Sequence, residues 1–262
     1  MKNTMDEGRG TKSIHRALDV LGALERHPSG LTLASLSGYL KLPKSTVHRI
    51  LNALIERQFV RELPDEGRYA LGYEILRLSQ ACLAGLDLVR EARPQLEALN
   101  RELDENVILG VLDDTRREII YLDKLDSSKT VRMFSRVGQR APVHCTALGK
   151  AALACFTEVE LREILAGYEF TRFTEQTIVD PKAFLRELDT VRERGYAVDC
   201  QEYRPQVACV AAPIRNHAGQ LLAVVSVSAP VDRLGAHKQA AVGARVMQAA
   251  HEIGTLLAHV PL

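Results

Sequence analysis

One stretch constrains this chain more than any other. KSTVHRILNALIERQ, residues 44–58, is followed almost at once by VRELPDEGRYALG, residues 60–72. In the first segment Val47, Ile50, Leu51, Leu54 and Ile55 recur at helical spacing and predict one buried stripe. That leaves Lys44, Ser45, Thr46, His48, Arg49 and Asn52 on the exposed side of the first turns, with no carboxylate before Glu56. The second segment reads as a strand, a turn at Pro64-Asp65-Glu66-Gly67 and a second strand. Upstream, residues 32–40 predict a short helix with Leu33, Leu36 and Leu40 on one side, Thr32 as its N-cap and a turn at 41–43. Residues 13–27 predict another, with Ile14, Ala17, Leu18, Leu21 and Leu24 apolar, Ser13 as N-cap and Pro28-Ser29-Gly30 as its end. Three short helices closed by a hairpin predict a winged helix-turn-helix.

That arrangement has a chemical use. A helix fits the major groove, ~12 Å wide, and reads it with its N-terminal end. Ser45 and Thr46 can bond phosphates or base edges, and Arg49 can fork onto guanine or a phosphate. Lys44, His48 and Arg68, the last near the hairpin tip beside acidic Asp65 and Glu66, complete the candidate nucleic-acid set. The plain alternative is a small bundle whose polar face is only solvated. Charge leans the same way as the motif: residues 1–80 hold 12 Lys and Arg against 9 Asp and Glu, and the remainder 22 against 24, giving +1 for the whole chain.

With 262 residues, 46% hydrophobic and 26% charged, two globular domains are expected. No run approaches the ~18 apolar residues of a membrane span. The opening MKNTMDEGRGTKS lacks an apolar core, so no signal peptide is expected and residues 1–12 read as a loose tail. Five cysteines, Cys82, Cys145, Cys155, Cys200 and Cys209, form no CxxC pair and suit a reducing cytoplasm. No cofactor or metal motif is present.

Residues 73–86 predict a connector helix with Ile75, Leu76, Leu83 and Leu86 apolar. A second amphipathic stretch follows, in which Pro94 should impose a kink or a new start. From residue 106 the pattern mixes strands and helices. VILGVLDD and EIIYLDKL predict a hairpin, and VRMFSRVG a third strand. TALGKAALACF, residues 146–156, predicts a small-residue helix, Thr157 and Glu160 a capping box, and Asp180-Pro181 to Gly195 a capped helix. AVDCQE, VACVAAPI and LLAVVSVSAP predict strands, with a turn at Asn216 to Gly219, and residues 237–258 a closing helix. The expected class is α+β with a mainly antiparallel sheet. Glycine-rich nucleotide loops, HExxH and GxSxG are lacking, so nucleotide, zinc-protease and hydrolase readings have no support. A thiol enzyme built on Cys145, His144 and Asp199 is disfavoured, because adjacent residues point apart. A ligand-binding module whose winged helix contacts protein is the other alternative.

Several separated segments carry a resemblance. SIHRALDVL, LPKSTVHRILNAL, RYALG, RVGQRAPVHCTALGKAALA, RERGYAVDCQE, CVAAPI and AVVSVSAP occur in the order found in the IclR family. The chain resembles that family of transcription regulators, and most nearly its branch responding to sugar acids and keto acids. The resemblance implies a non-enzymatic, cytoplasmic regulator, a repressor in kind, bound to double-stranded palindromic operator DNA. It implies homodimers or homotetramers, and a C-terminal domain of GAF/PAS-like fold that binds a small carboxylate effector. Domains follow: tail 1–12, winged helix-turn-helix 13–72, linker helix 73–86, and effector-binding and oligomerisation domain 87–262. The matching pocket positions are Ala147, Leu148, Asp199, Val207, Cys209, Ser226 and Ser228, with Ala141 beside them. Their chemistry suits an acid. Ser226 and Ser228 lie two apart in a strand and share a face. Amides at the start of the 146–156 helix donate with a favourable dipole. Asp199 accepts from a ligand hydroxyl, and Cys209 supplies a small apolar wall. The chain departs from the family pattern at Gln206 and Ala208, where glycine and a basic or polar residue are common. The loop is therefore expected to differ and a cation beside the ligand to be missing.

Overall fold

The computed structural model describes residues 4–64, 67–84, 87–129 and 135–257. The chain divides between Gly85 and Leu86 into two compact units.

The first unit contains α1 (Thr4–Arg26), β1 (Leu31–Thr32), α2 (Leu33–Leu40), α3 (Lys44–Glu56), β2 (Val60–Leu63), β3 (Arg68–Leu71) and α4 (Glu74–Ala84). Its core takes Val20, Ala23 and Leu24 from α1, Leu36 from α2, Val47, Ile50 and Leu51 from α3, and Val60 from β2. The stripe read from α3 is thus the face that packs. Thr32 caps α2, its hydroxyl accepting from the Ser35 amide at 3.1 Å. Lys41 ends α2 in the left-handed region, φ 52°, and lets the Leu42 amide reach the Ser37 carbonyl at 3.1 Å. β1, too short to read from sequence, pairs with β3 and makes the wing a three-stranded sheet of order β1-β3-β2. The helix expected to start at Ser13 starts at Thr4 instead, with no proline between them, so residues 4–12 are helical and Ser13 is not an N-cap. Asp65 and Glu66 of the expected turn, and Leu86 of the connector, lie outside the described residues.

The second unit begins with α5 (Asp87–Leu103) and continues β4 (Asn106–Leu112), β5 (Glu118–Leu125), β6 (Arg140–Pro142), α6 (Ala147–Leu153), α7 (Glu158–Ile164), α8 (Pro181–Arg194), β7 (Ala197–Cys200), β8 (Val207–Arg215), β9 (Leu221–Pro230) and α9 (Ala236–Leu256). Six strands form one antiparallel sheet of order β6-β5-β4-β9-β8-β7. Side-chain alternation divides its faces. Val107, Leu109, Ala212, Ile214, Val225 and Val227 pack against α5 and α9. Ile108, Ile119, Tyr121, Ala211 and Val224 pack against α6, α7 and α8.

The caps follow the sequence. The Asp180 carboxylate accepts from the Ala183 amide at 2.7 Å, and Gly195 closes α8 at φ 83°. Thr157 and Glu160 form their reciprocal box. Elsewhere the structure differs. α5 is one element across Pro94, its Arg93 chelating Asp123 of β5 with 2.9 Å to each carboxylate oxygen. Of the expected strand over 131–138, residues 131–134 lie outside the described set and residues 135–138 form loop and turn rather than strand. Past it, β6 pairs with β5 over three residues that no alternation announced. α6 ends at Leu153, shorter than the 146–156 reading.

α6 is seated by a contact without side chains. A Cβ on Gly149 would fall 2.3 Å from both the Cα and the carbonyl oxygen of Val143. Gly149→Ala should therefore destabilise the second unit by about 1–3 kcal/mol or more, since backbone gives way poorly. Gly22→Ala, on α1 where nothing lies within 4 Å, should instead stabilise by about 0.5–1 kcal/mol. Thermal unfolding of the two variants should move in opposite directions.

Candidate functional site

In the first unit α3 presents Lys44, Ser45, His48, Arg49 and Asn52 to solvent, while Thr46 is half-buried. Thr46 and Arg49 line a groove of about 370 Å³ between α1 and α3, together with Ser13 and Arg16. Arg16 therefore adds a cation that periodicity on α3 could not reveal. Arg68 is exposed at the start of β3. No acidic residue occupies the first turn of α3.

In the second unit the apolar pattern of the sheet breaks at one place. On the face toward α6, Ile108 sits opposite Ser226, and Ser228 opposite Cys209. Two hydroxyls replace hydrocarbon there, and a cavity of about 50 Å³ lies over them. Ala147, Leu148, Asp199, Val207, Cys209, Ser226 and Ser228 all line it. Ala141 does not; it is buried in the apolar core beside β5. The lining also includes Tyr121, Thr146, Tyr203 and Arg204, which no local pattern singled out. Tyr121 reaches the cavity from β5, and Tyr203 and Arg204 from the turn after β7.

That turn is heavily braced. The Asp199 carboxylate accepts from the amides of Glu202, at 2.7 Å, and Tyr203, at 3.4 Å. Glu202 receives Lys150 of α6 at 2.6 Å, and Lys150, only 1% exposed, also reaches Glu187 of α8 at 3.3 Å. The hydroxyls of Thr174 and Thr177 donate to the carbonyls of Gln201 (2.6 Å) and Glu202 (2.7 Å). Phe173 stacks edge-on to Tyr203 with centroids 5.1 Å apart. Gln206, where the family pattern has glycine, adopts φ 61° and donates its amide to Gln201 Oε1 at 3.0 Å. The loop thus carries a left-handed residue that is not glycine. A left-handed non-glycine costs about 1–2 kcal/mol. Ala208 packs with Val198, Val210, Ala229 and Leu234, away from the cavity, so its lack of charge removes nothing from the lining.

The α6 N-terminus contributes less than its sequence suggests. The helix has seven residues, and the Gly149 amide is already bonded to the Thr146 hydroxyl at 3.1 Å. Three buried side-chain oxygens lack a hydrogen-bond partner among the described residues, Ser135 Oγ, Glu202 Oε2 and Ser226 Oγ, and both serines line the cavity.

Thiol chemistry finds no support. Burial pushes the Cys145 thiol far above its ordinary range, with Asp199 and Glu202 adding to the rise. His144 does not serve it: Nε2 donates to the Thr171 carbonyl at 3.0 Å and Nδ1 accepts from the Tyr168 hydroxyl at 2.8 Å. Burial also lowers the His144 pKa, which keeps the ring neutral and bonded as a strut for the 168–177 loop. Among the described residues no group of three or more His, Cys, Asp and Glu side chains converges as metal ligands would.

Asp199 is the electrostatic anomaly. Burial, then the neighbouring Glu202 carboxylate, push its pKa up to about 7. An acid raised in the folded state holds a proton that the unfolded chain has released. Stability is therefore lost as pH rises from about 4 to about 7, and stays lost above. Asp199→Asn should raise the melting temperature more at about pH 8 than at about pH 5 in calorimetry. An equal gain at both would mean that Asp199 is ionised at little penalty.

Comparison with known proteins places both units. Residues 13–64 match the IclR helix-turn-helix domain, and residues 80–255 match the bacterial transcriptional regulator IclR C-terminal domain. The chain is 34% identical over 248 residues to the HTH-type transcriptional regulator KdgR of Escherichia coli, covering 94% of this chain and 93% of that one. It is 33% identical over 223 residues to the regulator XynR of the same organism, covering 85% and 88%. Among solved structures, an IclR homolog from Microbacterium hydrocarbonoxydans complexed with 4-hydroxybenzoate superposes with a TM-score of 0.79 at 25% identity, covering 94% and 98%. With a winged helix-turn-helix before an antiparallel-sheet effector domain, and matches to both over most of its length, the chain belongs to the IclR family of bacterial transcriptional regulators.

Proposed function

We propose that this regulator represses a catabolic operon in the cytoplasm, binding a palindromic operator as a homodimer or homotetramer, and that a small carboxylate releases or resets it. The observation that carries the effector half is Ser226: a buried hydroxyl without a partner among the described residues lines a cavity where Ile108, Leu148 and Val207 meet Asp199 and Arg204. Leaving such a group unpaired costs about 1–3 kcal/mol, and a carboxylate or keto oxygen supplies the acceptor. A volume of about 50 Å³ accommodates a few water-sized groups, so a short keto acid suits its base better than a long sugar acid. The 4-hydroxybenzoate complex of a homolog supports an organic acid as the class. Exposed apolar side chains at Ile14, Leu18, Tyr73, Leu76 and Leu78 on the first unit support association of copies.

On this reading Arg49, Lys44, Ser45, Thr46, His48 and Arg68 hold the operator. The acid shifts the population between operator-competent and incompetent arrangements. Linkage requires DNA to change acid affinity by the factor by which acid changes DNA affinity.

Two variants test the two halves. Arg49→Ala should weaken operator binding by about 1–3 kcal/mol and leave the acid-induced thermal shift intact. Loss of both would mean that Arg49 is part of the fold. A screen of keto, sugar and aromatic acids should give at least one thermal shift in the wild type that vanishes in the Ser226→Ala, Ser228→Ala double variant. A shift that survives there would move the effector site elsewhere.

A further inference from the structure

We propose that Arg204 is a specificity-determining residue of this pocket, the counter-ion of the effector's carboxylate. The inference rests on the effector reading above and adds a residue to it. Three observations carry it.

The first is the charge inventory of the lining. Among the described residues that line the cavity, Arg204 is the only cation and Asp199 the only anion. Lys150, ion-paired with Glu202 and Glu187, does not line the cavity. Asp199 takes two backbone amides and, among the described residues, no ion pair with a cation. A carboxylate entering beside a buried, unpaired carboxylate would be repelled unless a cation accompanied it. The protein supplies one, on the same turn as Asp199.

The second is reach. The Arg204 charge opposes the burial-driven rise of both the Tyr121 phenol and the Cys209 thiol, groups on β5 and β8. Its guanidinium carbon lies 5.4 Å from the Tyr203 ring centroid, so an aromatic face steadies it. Arg204 and Tyr121 line the same cavity, and a guanidinium matches a planar carboxylate with parallel N–H groups.

The third is mounting. Arg204 sits between two left-handed residues, Gln201 at φ 64° and Gln206 at φ 61°, that are bonded to each other through the Gln201 side chain. With Glu202 anchored to Lys150 and the Thr174 and Thr177 hydroxyls bonded to the turn, the backbone carrying Arg204 is fixed from three sides. Position 208, where relatives commonly place a polar or basic residue, faces the opposite side of β8. Selectivity for charge in this chain therefore belongs to residue 204.

The test uses the full-length protein and matched probes: pyruvate with pyruvamide, D-gluconate with D-gluconamide, and 4-hydroxybenzoate with 4-hydroxybenzamide. Affinities are measured by calorimetry on wild type, Arg204→Gln, Arg204→Lys and the Ser226→Ala, Ser228→Ala double variant. The expected result is an acid that binds wild type in preference to its amide. Arg204→Gln should weaken that acid by about 10- to 100-fold and erase the preference, and Arg204→Lys should restore part of it. A collapse of the acid-to-amide ratio is not produced by general loosening of the turn, which weakens both probes alike. If Arg204→Gln keeps the acid within about twofold of wild type while the serine variant has lost it, Arg204 is not the counter-ion and the effector reading stands. If no acid binds wild type, the effector reading falls and this inference with it.

Discussion

Lys150 is buried to 1% exposure, and an ammonium so far from water is costly unless opposite charge is set against it. Glu202 and Glu187 match it, and Glu187 is shared with Arg194 of the same helix. Those contacts bind α6, α8 and the turn after β7 to one point. Much else in the effector unit follows from that anchoring. The turn cannot lift from the sheet without exposing or orphaning a charge, so Asp199, Tyr203 and Arg204 stay over the two serines. Glu202 also supplies the neighbouring charge that helps hold Asp199 near neutrality of its titration. A buried ionic cluster of this kind contributes little net stability. Its service here is to fix where the turn lies.

Much of the architecture was legible because local rules and tertiary packing agree. The α3 stripe, the Thr157–Glu160 box, the Asp180 and Gly195 caps and the alternation of β9 each point to one conformation, and the fold uses each of them. What failed to show was short or non-local. β1 has two residues and β6 three, fewer than any alternation needs. The early start of α1 had no cap to announce it. Pro94 broke a rule within a helix that packing on β4, β5 and α9 holds together.

The pocket divides along the same line. Ser226 and Ser228 stood out because serine interrupts an apolar face at period two. Tyr121 looked like any strand aromatic, Lys150 like one lysine in a small-residue helix, and Arg204 like a loop charge. Their meaning arises from strands and turns that meet only in the folded sheet. Position 208 is the reverse case: it read as part of the site, yet Ala208 packs away from the cavity.

The contact between Gly149 and Val143 has a consequence for redesign. One wall of the pocket, Ala147 and Leu148, is positioned by backbone resting on backbone, and that seat does not involve Tyr121, Arg204, Val207 or Cys209. Of these, Tyr121 and Cys209 also pack into the core beneath α6, whereas Arg204 stands on a turn braced by other residues. An engineer seeking a biosensor for a different acid would treat the glycine as untouchable and turn first to residue 204.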